Sequence, residues 1–403
     1  MVSQTKKFQY RLVQVLFKQG LKFVKFKEPY LLNGSGSLKK LPNKMREMDV
    51  RHPLIVASGT IYRSGALDKF LKLLTENNMK YTIYSSVKPN PTIDNIEECL
   101  SYYKENNCDA VVSIGGGSPM DCSKVVAALA NGKNTSVRKL RGYMKVKGTL
   151  PKLFLCPTTA GSGSETTVAA VITDSKTHEK YAVSDPKFIP DVEVLDADLT
   201  LNLPQHTTAS TGMDALTHAI EAYVGRSGTK YTDELSLKAI KMIFENLETA
   251  YNDGHNIKAR ENMLLASNYA GKAFTRAFVG YVHAIAHALG GLYNVPHGLA
   301  NAIILPYVLQ FYGESIYDKM ATVAVYCGMG KDSEDKKSLY DKVIKKINDM
   351  NGNMNIPSTV KELKEEDFDE IIKRVLKEAN PAYPVPKIMG YEECREILEK
   401  LKI

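Results

Sequence analysis

The sequence predicts an α/β N-terminal domain with a doubly wound, mostly parallel sheet, followed by an all-helical C-terminal domain. Three observations support this fold class. Short apolar runs alternate with helical patterns from about residue 53 to residue 198, a glycine-rich loop follows one of these runs, and strand-like patterns end near residue 204. Buried parallel strands are near-continuous apolar runs joined by helices. We expect a basic N-terminal segment at residues 1–30, an α/β domain at 31–204 and a helical domain at 205–403.

The composition is that of an ordinary globular protein. Of 403 residues, 44% are hydrophobic and 24% are charged, which excludes the disordered and fibrous classes. The six cysteines form no CxxC pair, so neither a disulfide framework nor a cysteine-based zinc site is expected, and a cytoplasmic location is favoured. No apolar run approaches the roughly 18 residues that span a bilayer, and we expect a protein that is not exported.

The N-terminal segment carries most of the formal net charge of +8. It contains no Asp or Glu before residue 28, and its basic residues are Lys6, Lys7, Arg11, Lys18, Lys22, Lys25 and Lys27. Helical spacing groups most of them beside an apolar face that includes Phe8, Leu12 and Phe23. One interpretation is weak contact of residues 6–27 with a membrane surface; the other is packing on the protein's own domain or on a partner subunit. The rest of the chain is nearly neutral, so no nucleic-acid partner is expected.

Five short runs rich in β-branched and aromatic residues are the expected strands. In chain order they are Leu54–Ser58, Tyr81–Tyr84, Ala110–Ile114, Leu153–Cys156 and Val192–Leu195. From His206 onward the apolar spacing is helical and is interrupted by Gly and Pro, without strand alternation.

A glycine loop, Ile114–Asp121, follows the third expected strand and opens a helical pattern. Its glycines permit close backbone approach, and Ser118 and Pro119 suit the first positions of a helix, whose N-terminus offers N–H groups to a phosphate. The GxGxxG fingerprint is incomplete because Met120 replaces the third glycine, so a tight turn without a ligand stays an alternative. A second loop, Thr158–Glu165, follows the fourth strand. Two such loops at one sheet edge predict a long cofactor that carries phosphate.

Asp and His residues in the second half have the spacing of a metal site. Asp214 and His218 are four residues apart, as are His283 and His287, and His297 follows a turn. Residues four apart share one face of a helix. Imidazoles with one carboxylate suit Fe(II) or Zn(II) better than Ca(II) or Mg(II). Taken alone, an Asp and a His four residues apart are more often a surface ion pair, and a histidine beside alanines can be a core residue. Taken together, these polar residues on apolar helical faces favour a shared cation, because burying them without partners is costly. Spacing leaves open which histidines coordinate.

These motifs together resemble the iron-containing (group III) alcohol dehydrogenase family. The resemblance covers roughly residues 50–390, and its motifs are Gly115–Asp121, Pro157–Glu165, Gly212–Tyr223 and Gly280–Ala302. It implies a dehydroquinate synthase-like two-domain architecture with the active site in the cleft between the domains. It also implies a homodimer that transfers hydride between nicotinamide C4 and the carbon of a small primary alcohol or aldehyde, with a divalent metal as Lewis acid.

By position, the resemblance also assigns roles to individual residues. The implied metal ligands are Asp214, His218, His283 and His297, with Fe(II) favoured and Zn(II) possible. The implied cofactor contacts are Ser58, Asn90, Gly116, Gly117, Ser118, Thr158, Thr159, Ser162, Lys180 and Leu195. His287 matches a further active-site histidine and is a candidate proton relay.

One position bears on the choice of cofactor. Ser58 ends the first expected strand, where NAD-preferring relatives often have an Asp that binds the ribose 2′-hydroxyl. A carboxylate would repel a 2′-phosphate, whereas a serine would not. The sequence therefore favours NADP(H) over NAD(H), and a weaker ribose contact with NAD is the alternative.

Two other functions stay open at this point. Polyol-phosphate or glycerol-phosphate dehydrogenases and dehydroquinate synthase-like enzymes share the glycine loop, but their substrates would favour a basic pocket. A metal-dependent hydrolase without a redox cofactor belongs to a different class. Binding of a nicotinamide nucleotide separates the hydrolase from the dehydrogenases.

Overall fold

The structure is a computed structural model that describes residues 2–177 and 179–402. Its strands are β1 (Tyr30–Asn33), β2 (Pro53–Ser58), β3 (Thr82–Val87), β4 (Ala110–Gly115), β5 (Gly142–Tyr143), β6 (Lys152–Pro157), β7 (Ala169–Asp174), β8 (Glu179–Ser184) and β9 (Val192–Leu195). Its α-helices are α1 (Gln4–Leu21), α2 (Leu41–Glu47), α3 (Gly59–Arg63), α4 (Asp68–Glu76), α5 (Ile93–Glu105), α6 (Gly117–Ala130), α7 (Val137–Leu140), α8 (Gln205–Val224), α9 (Lys230–Asn252), α10 (Ile257–Ala277), α11 (Tyr281–Tyr293), α12 (His297–Tyr312), α13 (Tyr317–Tyr326), α14 (Lys336–Asn353), α15 (Phe368–Ala379) and α16 (Tyr391–Leu401).

The chain divides into two compact units. One is Lys25–Leu203, and the other combines Met1–Val24 with Pro204–Ile403. We call them the α/β unit and the helical unit. The functional division into residues 1–30, 31–204 and 205–403 stays a prediction.

The α/β unit is built on a six-stranded sheet with the order β1-β9-β6-β4-β2-β3. All neighbouring strands in this sheet are parallel. Leu54 and Val56 of β2 belong to a hydrophobic core shared with α5 and α6, whereas Ile55 and Ala57 belong to a second core shared with α2 and α4. Helices therefore cover both faces, which confirms the predicted doubly wound, mostly parallel sheet.

The strand order creates a crevice at one edge of this sheet. The chain passes from β2 to β3 on one side and then returns to place β4 on the other side of β2. Ligands of open α/β sheets bind where the direction of strand order reverses, at the carboxyl ends of the strands. The ends of β2, β3 and β4 meet at this point.

A second sheet was not predicted from the sequence. Its order is β5-β8-β7, and β7 and β8 are antiparallel. Exposed and buried positions are mixed along both strands, so neither forms the continuous apolar run by which buried strands are identified. Strand β1 at the edge of the large sheet was missed for a similar reason, because only Leu32 of its four residues is buried.

The helical unit contains α1 and α8 to α16. Within its described residues, 2–24 and 204–402, there is no strand, as predicted for the C-terminal half. Helix α8 is buried from Gly212 to Val224 and packs against α9, α10 and α12. Among the described residues, no helix combines the length and the apolar character needed to cross a membrane.

Candidate metal centre and cofactor cavity

Four side chains able to bind a metal lie together in the helical unit. Asp214 and His218 project from α8, His283 lies near the start of α11, and His297 is the first residue of α12. One ligand atom from each residue lies within 4.8 Å of the corresponding atoms of the other three. All except His297 are buried. The structure thus brings together all four residues that were predicted as metal ligands.

The charge state of this cluster suits a cation. Burial and the neighbouring histidines lower the pKa of His283 well below its usual range, so the ring is neutral at neutral pH. Neutral imidazole and ionised carboxylate are the forms that bind metals. Asp214 Oδ1 lies 3.5 Å from His297 Nε2 and 4.0 Å from His283 Nε2, so these atoms face a common point. The donor set fits a divalent transition metal such as Fe(II) or Zn(II).

A buried carboxylate holds His283 in place. Glu221 Oε2 lies 2.6 Å from His283 Nδ1, and Glu221 also accepts hydrogen bonds from the backbone N–H groups of Gly280 and Val282. Burial raises the pKa of Glu221 to about 7, although these hydrogen bonds act in the opposite direction. Since Nδ1–H donates to Glu221, the Nε2 lone pair of His283 is directed towards the other candidate ligands.

The side-chain amide of Asn301 lies among the same ligand atoms. Its Nδ2 is 2.6 Å from Asp214 Oδ1, 3.1 Å from His297 Nε2 and 3.3 Å from His283 Nε2. Asn301 is fully buried, and its amide N–H orients the Asp214 carboxylate. Asn301 therefore supports the ligand set without itself belonging to the predicted ligands.

His287 is held by a different carboxylate. Its Nδ1 lies 2.7 Å from Glu378 Oε1, which also accepts a hydrogen bond from the hydroxyl of Tyr383. Burial would raise the pKa of Glu378, but the charge of His287 and both hydrogen bonds outweigh it, so the pKa is lowered. The rings of His287 and His297 stack with centroids 5.1 Å apart. The predicted relay residue is thus next to a candidate metal ligand.

In the α/β unit, the two predicted phosphate loops contact each other directly. Thr158 N–H donates to the carbonyl of Gly115, at 3.0 Å. A Cβ on Gly117 would lie 3.3 Å from Ser162 Oγ, so the two loops approach closely at this point and a side chain there would displace Ser162. Asn90, which has a φ of 54°, donates its backbone N–H to Ser118 Oγ at 3.2 Å.

A buried lysine fastens the second loop to helix α6. Lys124 Nζ donates to Ser164 Oγ and Thr167 Oγ1, each at 2.9 Å, and to the carbonyl of Ala169 at 2.8 Å. Asp121 accepts a hydrogen bond from Ser164 Oγ at 2.7 Å. Burial lowers the pKa of Lys124 to about 8, and the nearby carboxylates only partly oppose this shift. This buried network of hydrogen bonds links the two phosphate loops.

A cavity of about 490 Å³ opens at the switch point of the large sheet. Four predicted cofactor contacts line it, namely Ser58, Gly116, Gly117 and Ser118. Ser58 also caps α3, because its Oγ accepts the backbone N–H of Ile61 at 3.3 Å. Two basic side chains, Arg63 and Lys88, line the same cavity. Its lining includes no Asp or Glu among the residues that the structure describes.

The remaining predicted cofactor contacts lie outside this lining. Asn90, Thr158, Thr159 and Ser162 lie against the glycine loop. Lys180 is exposed on β8 of the small sheet, and Leu195 is fully buried at the end of β9.

Several residues of these sites, among them Glu221, Asn301, Arg63 and Glu378, were missed in the sequence. Glu221 lies three residues after His218 on the same helical face, and Asn301 lies four residues after His297, so helical spacing was an available signal for both. Arg63 and Glu378 have no such signal, because only the tertiary structure places them near the cavity and His287, respectively.

Two family models match most of the chain. Residues 29–197 match the model described as iron-containing alcohol dehydrogenase. Residues 208–401 match the model for the C-terminal part of the Fe-containing alcohol dehydrogenase family. Neither matched range includes helix α1.

Curated relatives agree with these models. The chain is 37% identical over 340 residues to a 1,3-propanediol dehydrogenase of Citrobacter freundii, which covers 84% of this chain and 87% of the relative. It is 34% identical to an NAD-dependent methanol dehydrogenase of Bacillus methanolicus, and the match covers 93% of this chain and 98% of the relative. It is 33% identical to an NADPH-dependent butanol dehydrogenase of Clostridium saccharobutylicum, and the match covers 91% of this chain and 94% of the relative.

A solved structure shows the same fold. The alcohol dehydrogenase from Oenococcus oeni superposes with a TM-score of 0.89 at 34% identity, covering 94% of this chain and 99% of the other. These matches confirm the predicted family and the predicted alcohol and aldehyde redox chemistry linked to NAD(P). The chain therefore belongs to the iron-containing alcohol dehydrogenase family, whose members are oxidoreductases.

Proposed function

We propose that this enzyme is an Fe(II)-dependent, NADP(H)-preferring dehydrogenase of small primary alcohols, which also reduces the corresponding aldehydes. The observation that carries this proposal is the convergence of Asp214, His218, His283 and His297 within 4.8 Å. A divalent ion, when bound, supplies Lewis acidity at the substrate oxygen, and the nicotinamide cofactor supplies the hydride chemistry. The named relatives act on propanediol, methanol and butanol, which supports a small and uncharged substrate.

In this proposal the protein's own residues hold the ion and move the proton. Asp214 and the three histidines hold the ion, with Glu221 fixing the tautomer of His283. His287 donates Nδ1–H to Glu378, and in this proposal its Nε2 exchanges a proton with the substrate side or with solvent. Gly116, Gly117 and Ser118 bind the pyrophosphate of the cofactor in this proposal. The other proposed cofactor contacts are Ser58, Asn90, Thr158, Thr159, Ser162, Lys180 and Leu195.

The preference for NADP(H) rests on the charge of the cavity. Arg63 and Lys88 line it beside Ser58, and a guanidinium in this position attracts a 2′-phosphate. Turnover measured with each cofactor tests this point. At least a tenfold higher kcat/KM with NADPH than with NADH is expected, and the reverse ratio contradicts the assignment.

Metal analysis tests the central assignment. Anaerobically purified protein is expected to contain iron and to oxidise small primary alcohols. A His283→Ala variant is expected to lose most of the metal and the activity, whereas His255→Ala, at an exposed histidine outside the cluster, retains both. Full metal content together with full alcohol oxidation in His283→Ala overturns the assignment.

We also propose a homodimer in the cytoplasm, with residues 6–27 in contact with a membrane surface. The dimer rests on the resemblance to the family. The six free cysteines support a reducing compartment. Light scattering coupled to size-exclusion chromatography measures the oligomeric state.

A further inference from the structure

Helix α1 displays its apolar face instead of burying it. Phe8, Leu12, Val15 and Leu16 have the spacing of one helical stripe, and all four are exposed, Phe8 by 71% and Leu16 by 63%. Phe23, just after the helix, is 86% exposed. We call these five residues the α1 stripe. An amphipathic helix of a globular protein normally turns such a stripe towards the core.

A different, polar face of α1 packs on the rest of the helical unit. Gln14 is buried and donates to the carbonyls of Pro381 and Tyr383, at 3.2 and 2.7 Å. Arg11 lies one turn earlier and donates to two further backbone carbonyls, those of Val385 and Pro386.

Lys18, one turn after Gln14, completes this polar contact. Its Nζ donates to the carbonyls of Arg226 and Gly228, at 2.9 and 3.2 Å. Rotating α1 to bury the α1 stripe would break these bonds and leave the carbonyls to find other partners. The helix does pack on its own unit, as one interpretation of the sequence expected, but its orientation leaves the α1 stripe facing outward.

The charge around the α1 stripe selects a negatively charged partner. Lys6, Lys22 and Lys25 are exposed in the same N-terminal segment, and residues 1–27 contain no carboxylate side chain. Lys27 is not included among these lysines because its Nζ lies 2.6 Å from Asp191 Oδ1. A second copy that met this face through a twofold axis would bring like charges together, which costs free energy.

The dehydrogenase chemistry does not account for the α1 stripe. The two family matches begin at residue 29 and end at residue 401, so α1 and Phe23 lie outside both. An exposed apolar stripe bordered by lysines is typical of a helix that lies in the interface of a membrane.

We propose that α1 anchors this enzyme peripherally to an anionic lipid bilayer. The α1 stripe enters the boundary between headgroups and acyl chains, while Lys6, Lys22 and Lys25 contact the acidic headgroups. This inference rests on the proposed membrane contact of residues 6–27 and deepens it by naming the face and the class of lipid. Because Arg11, Gln14 and Lys18 hold the helix on the protein, the anchor is folded before it meets lipid, and the cost of ordering its backbone does not arise on binding.

Vesicle sedimentation of the full chain tests the proposal. The wild-type protein is expected to pellet with vesicles of phosphatidylcholine and phosphatidylserine, and to stay in solution with phosphatidylcholine alone. Leu12→Gln combined with Leu16→Gln is expected to weaken partitioning at least about tenfold, because two apolar side chains are lost from the contact. A matched pair of exposed apolar residues outside α1, Val171→Gln with Ile257→Gln, keeps wild-type partitioning. Phe23→Gln, outside the helix, provides a second variant that cannot disturb α1.

The role of charge has its own control. Changing Lys6, Lys22 and Lys25 to Gln is expected to abolish the dependence on phosphatidylserine. The same substitution at three exposed lysines of the α/β unit, Lys39, Lys69 and Lys80, lowers the net charge equally and leaves vesicle binding unchanged.

Several outcomes overturn the proposal, and each bears differently on the membrane contact and on the dehydrogenase function. Unchanged binding of the Leu12 and Leu16 variant removes the role of the α1 stripe but leaves a membrane contact in place. Equal binding to neutral vesicles removes the anionic class. If the same variant changes the oligomeric state, the stripe is an interface between copies. If the wild type binds no vesicles, both the anchor and the membrane contact fail; alcohol oxidation, assayed on the same samples, reports separately on the dehydrogenase.

Discussion

His283 and Glu221 form a buried pair in which Nδ1 of the imidazole and Oε2 of the carboxylate are 2.6 Å apart. The carboxylate accepts two further hydrogen bonds from the start of α11, so it fixes both the helix end and the ring. This arrangement determines which nitrogen of His283 is available to a metal, and it does so from α8, the helix that also carries Asp214 and His218.

A Glu221→Gln substitution is expected to weaken metal affinity by roughly 10- to 100-fold, the usual cost of losing a carboxylate behind a ligating histidine. The glutamine keeps the size of the side chain but brings an N–H group against donors that need an acceptor. Competition of the apo protein with a chelator of known affinity measures the change. Glu378→Gln is the matched control, since Glu378 contacts His287 rather than a predicted ligand; equal affinities for both variants contradict the role given to Glu221.

The same Glu378→Gln variant tests a separate prediction about catalysis. Glu378 orients His287, so its loss is expected to lower kcat at least about tenfold while metal content and the KM for the cofactor stay near wild type. Steady-state kinetics with metal analysis on one preparation measures all three quantities. A matched change elsewhere on α15, Glu370→Gln at an exposed position, is expected to leave kcat unchanged. A fall in metal content that parallels kcat indicates a structural role instead.

Ser58 allows the cofactor preference to be changed without loss of the helix cap. Aspartate and asparagine both cap helices as well as serine does, so Ser58→Asp and Ser58→Asn should each retain the cap on α3. Only Ser58→Asp adds a charge that repels a 2′-phosphate. The ratio of kcat/KM for NADPH to that for NADH is therefore expected to fall at least about tenfold in Ser58→Asp and little in Ser58→Asn. If both variants change the ratio alike, the loss of the serine hydroxyl rather than the added charge is responsible.

The sequence predicts the large sheet because its central strands are mostly apolar and buried, as Ala110–Gly115 is, with Ser113 as its one polar residue. It does not predict β8, where Glu179, Lys180 and Ala182 are exposed and interrupt any apolar run. Strand β8 belongs to a small sheet at the periphery, and one face of this sheet is exposed to solvent. A search for continuous apolar runs does not detect such a strand.

In the candidate metal centre and around His287, too, some residues could be predicted from the sequence and others could not. Helical spacing relates Asp214 to His218, and Glu221 lies on the same face, whereas Glu378 lies 91 residues from His287 and is brought to it only by the folded chain. The spacing of α1 likewise predicts an amphipathic helix, but not which face packs inward. That outcome depends on carbonyls near residues 226 and 385, which no local pattern reveals.

Lys124 makes the stability of the α/β unit depend on pH in a predictable direction. Its pKa is lowered by burial to about 8 from an ordinary value of 10.5, so above pH 8 the unfolded state binds more protons than the folded state. Relative to a Lys124→Met variant, the wild type is expected to gain stability as the pH rises from 8 to 10, by roughly 1.4 kcal/mol per pH unit. Below pH 8 the lysine is charged in both states, and the difference between the two proteins stays constant. Urea unfolding followed by far-UV circular dichroism at several pH values measures this difference, with Lys69→Met as the exposed control. A difference that does not change between pH 8 and pH 10 contradicts the lowered pKa, and with it the dry environment assigned to the link between the two phosphate loops.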